Sequence, residues 1–387
     1  QQQQQQQRAA RTAPGDAALV QTGVRTQLAH PGAAAAAEEA PANATGAAAP
    51  HAWVPRSAGY DKPMPHNFQR AVARALNFMQ LGWRAAPYRM FTGKTPRELN
   101  RFAGTRRSRP PPHRAASPAA EAAAQPPSFL GVRSTRTAGH VHAERFDWRE
   151  VDGKNWLQPV VSQGDCGSCY AISTVHMMTA RNRIGLKDLS EPAFSVTFPL
   201  RCSEYNQGCD GGYGFLESKW AEDVGLVPES CAPFSDQADG ACQALDDCDL
   251  GDRRYRAVNH RYVGGFYGGS DHEHIRRELV SNGPLVLSFE PKEDFMYYRS
   301  GLYRSGSNKI HQEWEQVDHA VLLIGLGEEE GHAYWVLQNS WGTEWGEQGY
   351  FRMARGIDES GCESIAVAAD VARESSNDVL DSFLASL

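Results

Sequence analysis

Gln163-Gly164-Asp165-Cys166-Gly167-Ser168-Cys169-Tyr170 is the stretch on which the reading of this chain turns. The residues after it, 170–184, are rich in Ala, Met and branched side chains and read as a helix, so Cys169 stands at a helix start. The N-terminal end of a helix carries partial positive charge and lowers a thiol's pKa, which favours the thiolate, the form that attacks electrophiles. Gln163, just upstream, supplies an amide donor. Together with the Cys169 backbone N–H it makes a candidate pair for holding an oxyanion.

A thiolate of this kind needs an imidazole near in space and distant in sequence. Asp318-His319-Ala320 opens the apolar run AVLLIGLG (residues 320–327), which reads as a buried strand. Gln338-Asn339-Ser340-Trp341-Gly342 follows a second strand pattern at residues 334–337, and a third apolar group stands at 350–353. In this reading His319 is the base, Asn339 accepts from its ring and holds the tautomer, and the Trp341 indole shields that bond from water. Each piece alone has a plainer explanation. A C-x-x-C serves in redox pairs, in disulfides and in zinc sites, although no second pair of matching spacing supports zinc. An Asp-His at a strand end is often a surface pair, and Asn-Ser-Trp-Gly can be a turn. In this order and spacing the pieces point to acyl transfer. A helix early and strands late predict an α+β fold.

The Cys166–Tyr170 signature with His319 and Asn339 resembles the papain and cathepsin family of cysteine peptidases. The resemblance implies a two-lobed fold, a helical lobe plus an antiparallel β-barrel-like lobe, with the active-site cleft between them. It implies a thioester acyl-enzyme on Cys169, peptide or protein substrates, no metal and no required cofactor. It implies the disulfides Cys166–Cys209, Cys202–Cys242 and Cys231–Cys248, leaving Cys169 as nucleophile and Cys362 outside the bridges. Gly211 and Gly212 match the strand along which substrate backbone pairs, with Asp318 and Trp341 also at the substrate site. Tyr170 after the nucleophile, the run Tyr262-Val263-Gly264-Gly265-Phe266-Tyr267-Gly268-Gly269 and the stretch 363–369 are similar to the cathepsin C branch of the family. That branch implies removal of dipeptides from free N-termini, and a chloride near Tyr262, Tyr213 and Phe215, the last standing where a tyrosine would. It also implies an activation peptide resembling residues 61–84, cuts near 140–145 and 305–315, and a homo-oligomer. Ile172 and Leu326 depart from aromatic positions of the branch. Residues 1–58 do not resemble its N-terminal exclusion domain, so an open-cleft endopeptidase is the alternative.

Composition divides the chain in the same places. Residues 1–58 open with seven glutamines and continue in alanine runs that bury little, so they read as disordered low complexity. Residues 56–145 hold 16 Lys and Arg against 4 Asp and Glu, whereas residues 146–387 hold 20 against 39. The expected division is a low-complexity segment at 1–58, a basic pro-segment at 59–145, a peptidase domain at 146–370 and a tail at 371–387. The basic segment reads either as a pro-segment held on the acidic body by long-range attraction, inhibiting its own enzyme, or as an arginine-rich linker. It carries no stacking or groove-reading motif, so no nucleic-acid partner is expected. Within it, 66–84 has apolar residues at helical spacing (Phe68, Val72, Leu76, Phe78, Met79), Thr95-Pro96-Arg97-Glu98 reads as a helix start, and 104–128 is a proline-rich linker. All eight cysteines follow residue 160, which suits an oxidising compartment. The sequon Asn43-Ala44-Thr45 agrees weakly with secretion, and an acidic lysosome- or endosome-like vesicle is the other expectation. No apolar run reaches membrane-spanning length. The chain begins at Gln1 without a leader and reads as a fragment or a processed form.

Overall fold

The computed structural model describes residues 62–99, 102, 145–235, 241–242, 248, 253–292, 294–305 and 319–375. The low-complexity start with its sequon, the proline-rich linker, most of the two expected cleavage regions, Asp318 and most of the tail lie outside the described residues.

The chain order begins with α1 (His66–Phe78), β1 (Trp83–Ala85) and the single turn α2 (Pro96–Leu99). Then come β2 (Phe146–Asp147), α3 (Cys169–Leu186), α4 (Thr197–Cys202), α5 (Gly214–Asp223), β3 (Arg253–Tyr262), α6 (His272–Asn282) and β4 (Leu285–Phe289). β5 (Tyr298–Tyr303), β6 (His319–Glu329), β7 (His332–Gln338), β8 (Tyr350–Ala354) and β9 (Ile365–Ser375) complete the described chain. The strands join in the order β1-β5-β8-β7-β6-β4-β9-β3, with β2 paired to β6 at the side. All pairs are antiparallel except β5 with β8, which run parallel at Leu302–Arg352 and Tyr303–Met353. Helices α3, α4 and α5 form the other half, giving the α+β arrangement. Among the described residues no helix is long and apolar enough to cross a membrane.

α3 is the central helix. Its residues are buried on all sides from Cys169 through Asn182, which is why its apolar residues show no single face. Its far end carries a buried cation. Arg181 meets Glu278 of α6 at 2.7 Å and Asp370 of β9 at 2.8 Å, and donates to the carbonyl of Pro284. A charge removed from water in this way needs such partners. β6 is buried from His319 through Gly327, because α3 covers the sheet there. It therefore reads as a continuous apolar run rather than an alternating one.

Residues 62–99 depart from the sequence expectation. The helix expected over 66–84 stops at Phe78, because Gln80 (φ 51°) and Gly82 (φ 83°) reverse the chain, and Trp83 begins a strand. Its buried face is Gln69 and Ala73, whereas Phe68, Phe78 and Met79 are 52%, 89% and 54% exposed. Gln69 lies inward because its carboxamide accepts from Tyr88 N and donates to Thr92 Oγ1. α2 begins with a reciprocal cap: Thr95 Oγ1 accepts from Glu98 N, and the Glu98 carboxylate accepts from Thr95 N at 2.7 Å. β1 extends the sheet by pairing with the edge strand β5. Gly301 makes that approach possible. A Cβ there would lie 2.9 Å from Gly82 O and Trp83 Cα, and its φ of 101° belongs to glycine.

Candidate active site

The first residue of α3 and the first residue of β6 meet. Cys169 and His319 are both fully buried, and the backbone N–H of Ala320 points at Cys169 Sγ, 3.5 Å away. Asn339, just after β7, presents its Oδ1 to two nitrogens: His319 Nε2 at 2.8 Å and Ser340 N at 2.8 Å. Because Ser340 N can only donate, the shared atom is an acceptor, and His319 must carry its proton on Nε2. Nδ1 is then left with its lone pair, and it is buried with no hydrogen-bond partner. Burial pushes the imidazole down to about 4, opposed by the Asn339 bond. A proton on this ring therefore requires a compensating negative charge, and the Cys169 sulfur beside it, at a helix N-terminus, is the group able to provide one.

Gln163 is fully buried and locked to the Asn339 loop. Its backbone N–H donates to Ser340 O at 2.8 Å, its Oε1 accepts from Ser340 Oγ at 2.6 Å, and its Nε2 donates to Cys166 O at 2.9 Å. Ser162 pairs with Trp341, and Gly342 N donates to Val161 O, so the Gln163 loop runs as a short strand against residues 340–342. On the other side Cys166 is bonded to Cys209, and Gly167 N donates to Cys209 O at 2.9 Å. The C-x-x-C is thus divided, with Cys166 in a disulfide and Cys169 keeping its thiol. The other bridges join Cys202 to Cys242 and Cys231 to Cys248.

Trp341 stacks on the His319 ring at 5.0 Å and 29°, and Phe289 meets the same ring on edge. The indole is also enclosed by the basic segment, since Phe91 and Phe102 both meet it edge-on. Lys94 of the basic segment pairs with Asp165, between Gln163 and Cys166. Arg145, at the end of the basic segment, pairs with Glu150 of the body as well. The rest of the segment's contact with the body joins apolar burial and strand pairing with hydrogen bonds, among them Trp83 Nε1 to Arg304 O and the Tyr88 hydroxyl to Tyr298 O.

Gly211 and Gly212 stand beside the disulfide loop, for reasons the sequence did not give. Gly211 has φ 104° and ψ 174°. A Cβ on Gly212 would fall 2.5 Å from Asn206 Oδ1 and 2.7 Å from the Tyr170 ring, so the inner side of this strand is already filled. Phe215 lies flat on Tyr262 at 4.2 Å and 2°, and Tyr267 meets Tyr262 on edge. Burial, and then Tyr267 and Tyr213, push the Tyr262 hydroxyl up to about 12. These three aromatic positions therefore cluster, with Phe215 offering no donor. Sequence reading missed Ser340 as the holder of Gln163, although it stands within the quoted Asn-Ser-Trp-Gly. It also missed Phe289, Asn206 and Glu217, for which no motif gives a signal.

Comparison with known proteins agrees with this geometry. The family described as papain family cysteine protease matches residues 142–370. The chain is 39% identical over 234 residues to cathepsin C of Schistosoma mansoni, covering 58% of this chain and 51% of that protein, so it spans about half the length of this relative. It is 34% identical over 230 residues to cathepsin B-like CP3 of Giardia intestinalis, covering 57% of this chain and 72% of the other. Among solved structures, a procathepsin L2 from the Tenebrio molitor larval midgut superposes with a TM-score of 0.60 at 23% identity, over 79% of this chain and 89% of that one. A procathepsin B from Trypanosoma congolense gives 0.61 at 22%, over 80% and 99%. The fold is therefore the two-lobed papain-like fold, and the chain belongs to the papain family of cysteine proteases.

Proposed function

We propose that this chain hydrolyses peptide bonds through a thioester on Cys169 and that it removes dipeptides from free N-termini. The observation that carries the first part is the tautomer forced on His319 by Asn339, which leaves Nδ1 as a base beside the thiol. His319 takes the Cys169 proton, and the thiolate attacks the scissile carbonyl. The oxyanion is held by the Cys169 N–H and the Gln163 amide. His319 then gives its proton to the leaving amine as the C–N bond breaks. A water, losing a proton to His319, attacks the thioester and releases the acid and the thiolate.

The dipeptidyl reading rests on likeness to the S. mansoni cathepsin C. Gly211 and Gly212 would pair with substrate backbone, with Asp318 and Trp341 completing the site. A chloride at the Tyr262 cluster would depend on the Tyr262 and Tyr213 hydroxyls, and no step of the reaction needs it. The basic segment at 59–145 would act as the enzyme's own inhibitor until removed, in a lysosome-like or secreted setting, and assembly into a homo-oligomer belongs to the same reading. The chain is also similar to the G. intestinalis cathepsin B-like protein, and an open-cleft endopeptidase is the second reading. Two fluorogenic dipeptide substrates, one with its amine free and one N-acylated, separate the two at mildly acidic pH. Cleavage of the free-amine substrate alone supports the dipeptidyl peptidase, and comparable cleavage of the blocked one overturns it in favour of the endopeptidase.

A further inference from the structure

Glu217 is a carboxyl group that the reaction above does not use, and it is fully buried in the first turn of α5. One oxygen accepts from Asn206 Nδ2 at 2.8 Å, and the other is buried without a hydrogen-bond partner. Among the described residues no ion pair reaches it. The titratable group facing it is the Tyr170 phenol of α3, which itself donates to Gly208 O. Burial pushes the Glu217 carboxyl up to about 7, so at acidic pH it is neutral.

The partner Asn206 has one workable orientation. Its Oδ1 accepts from Tyr213 N at 2.9 Å, a contact only an oxygen can make. Its amide NH₂ must then find a buried acceptor, and Glu217 provides it. The Asn206 carboxamide in turn lies directly behind Gly212, where a Cβ would be 2.5 Å from Oδ1 and 2.7 Å from Cγ. Gln207 N donates to Gly211 O and closes the same loop. The backbone at 211–213 therefore rests on Asn206, and Asn206 is held by Glu217.

We propose that Glu217 is a positioning residue for substrate, setting the backbone of residues 211–213 through the Asn206 carboxamide. This rests on the reading of Gly211 and Gly212 as the substrate strand of a peptidase. The test uses the activated enzyme, a free-amine dipeptide substrate and, separately, alkylation of Cys169 by iodoacetamide. Glu217→Leu removes the acceptor and raises KM by about tenfold, the factor expected when a buried donor loses its partner, with kcat within about twofold. Alkylation of Cys169 proceeds at the wild-type rate. Glu217→Gln keeps an oxygen for Asn206 Nδ2 and restores KM at pH 6. Asn206→Ala cuts the same relay from its other end, carries the test if Glu217→Leu does not fold, and gives a similar rise. The double variant gives no more than either alone. An unchanged KM, additive rises, or KM and alkylation damaged together would each overturn the proposal. A wild-type enzyme that is alkylated at Cys169 yet cleaves no peptide would instead sink the peptidase reading, before any variant is compared, and this inference with it.

Discussion

Trp341 donates its indole N–H to the carbonyl of Phe102 at 3.2 Å, across 239 positions of sequence. The same indole lies on His319 and is met on edge by Phe91, itself fully buried. Phe91 and Phe102 of the basic segment thus grip the side chain that shields the His319–Asn339 bond. Truncating a buried phenylalanine costs about 3–5 kcal/mol, or a factor of about 10²–10³ in affinity where the loss falls on docking. A synthetic peptide spanning residues 62–102 should therefore inhibit the activated enzyme in trans, and its Phe91→Ala form should inhibit about 10²–10³ times less well. Equal inhibition constants would show that the aromatic contact does not hold the segment.

Gln163 is placed by Ser340 through both backbone and side chain, so its loss has two separable parts. Gln163→Ala should lower kcat by about 10²–10³ with KM little changed, as expected for an oxyanion donor that acts only in the transition state. Ser340→Ala removes the 2.6 Å bond to Oε1 and leaves the amide in place. Its effect on kcat should be about tenfold, the worth of one buried hydrogen bond. If the two variants lose kcat equally, Gln163 serves to hold the loop rather than to meet the oxyanion.

The Tyr262 cluster gives a prediction for chloride. With Phe215 contributing only a ring, the hydroxyls offered at that place are those of Tyr262 and its neighbours Tyr213 and Tyr267. Replacing chloride by acetate at constant ionic strength should lower kcat/KM of the wild-type enzyme several-fold, and Tyr262→Phe should make the enzyme indifferent to the exchange. An unaltered response in Tyr262→Phe would remove the site.

The legible parts of this chain are those in which chemistry and local structure coincide in one short motif. Cys169 is legible because a thiol before an apolar helix announces its own activation, and Asn339 because it sits in a turn beside Trp341. α3 is legible from composition even though it is buried on every side. The helix at His66–Phe78 is shorter than its spacing predicts because Met79 continues the apolar spacing into a turn, where the backbone at Gln80 and Gly82 decides the outcome. Phe68 shows the same limit, since an apolar residue at helical spacing is half exposed while Gln69 is buried. The parallel pairing of β5 with β8 is invisible locally, since it depends on the two strands between them in sequence. Glu217 and Asn206 carry no motif, and their relation exists only once α5 is packed against α3.

Three buried titratable groups give the stability of the fold a shape in pH. His319 and His176 are both pushed down to about 4 by burial, opposed by bonds to Asn339 and Gln338. Glu217 is pushed up to about 7 by burial, opposed by Asn206. Between about pH 6.5 and 4 the unfolded chain binds protons at the two histidines that the native protein refuses, so their contribution is lost as pH falls through that window. Between about pH 4.5 and 7 the native protein holds a proton on Glu217 that the unfolded chain releases, so its contribution is lost as pH rises. Each proton is worth about 1.4 kcal/mol per pH unit inside its window. The two histidines outweigh the one carboxyl up to about pH 7, where the opposing proton differences become equal. The measurement is thermal unfolding of the Cys169→Ala form from pH 4 to 7.5, with the mutation preventing self-digestion and thiolate pairing with His319. Stability should rise from pH 4 to a plateau near pH 7, His176→Gln should flatten that rise, and Glu217→Gln should steepen it. A His176→Gln protein with an unaltered acid limb would mean that His176 is not the neutral buried base its surroundings require.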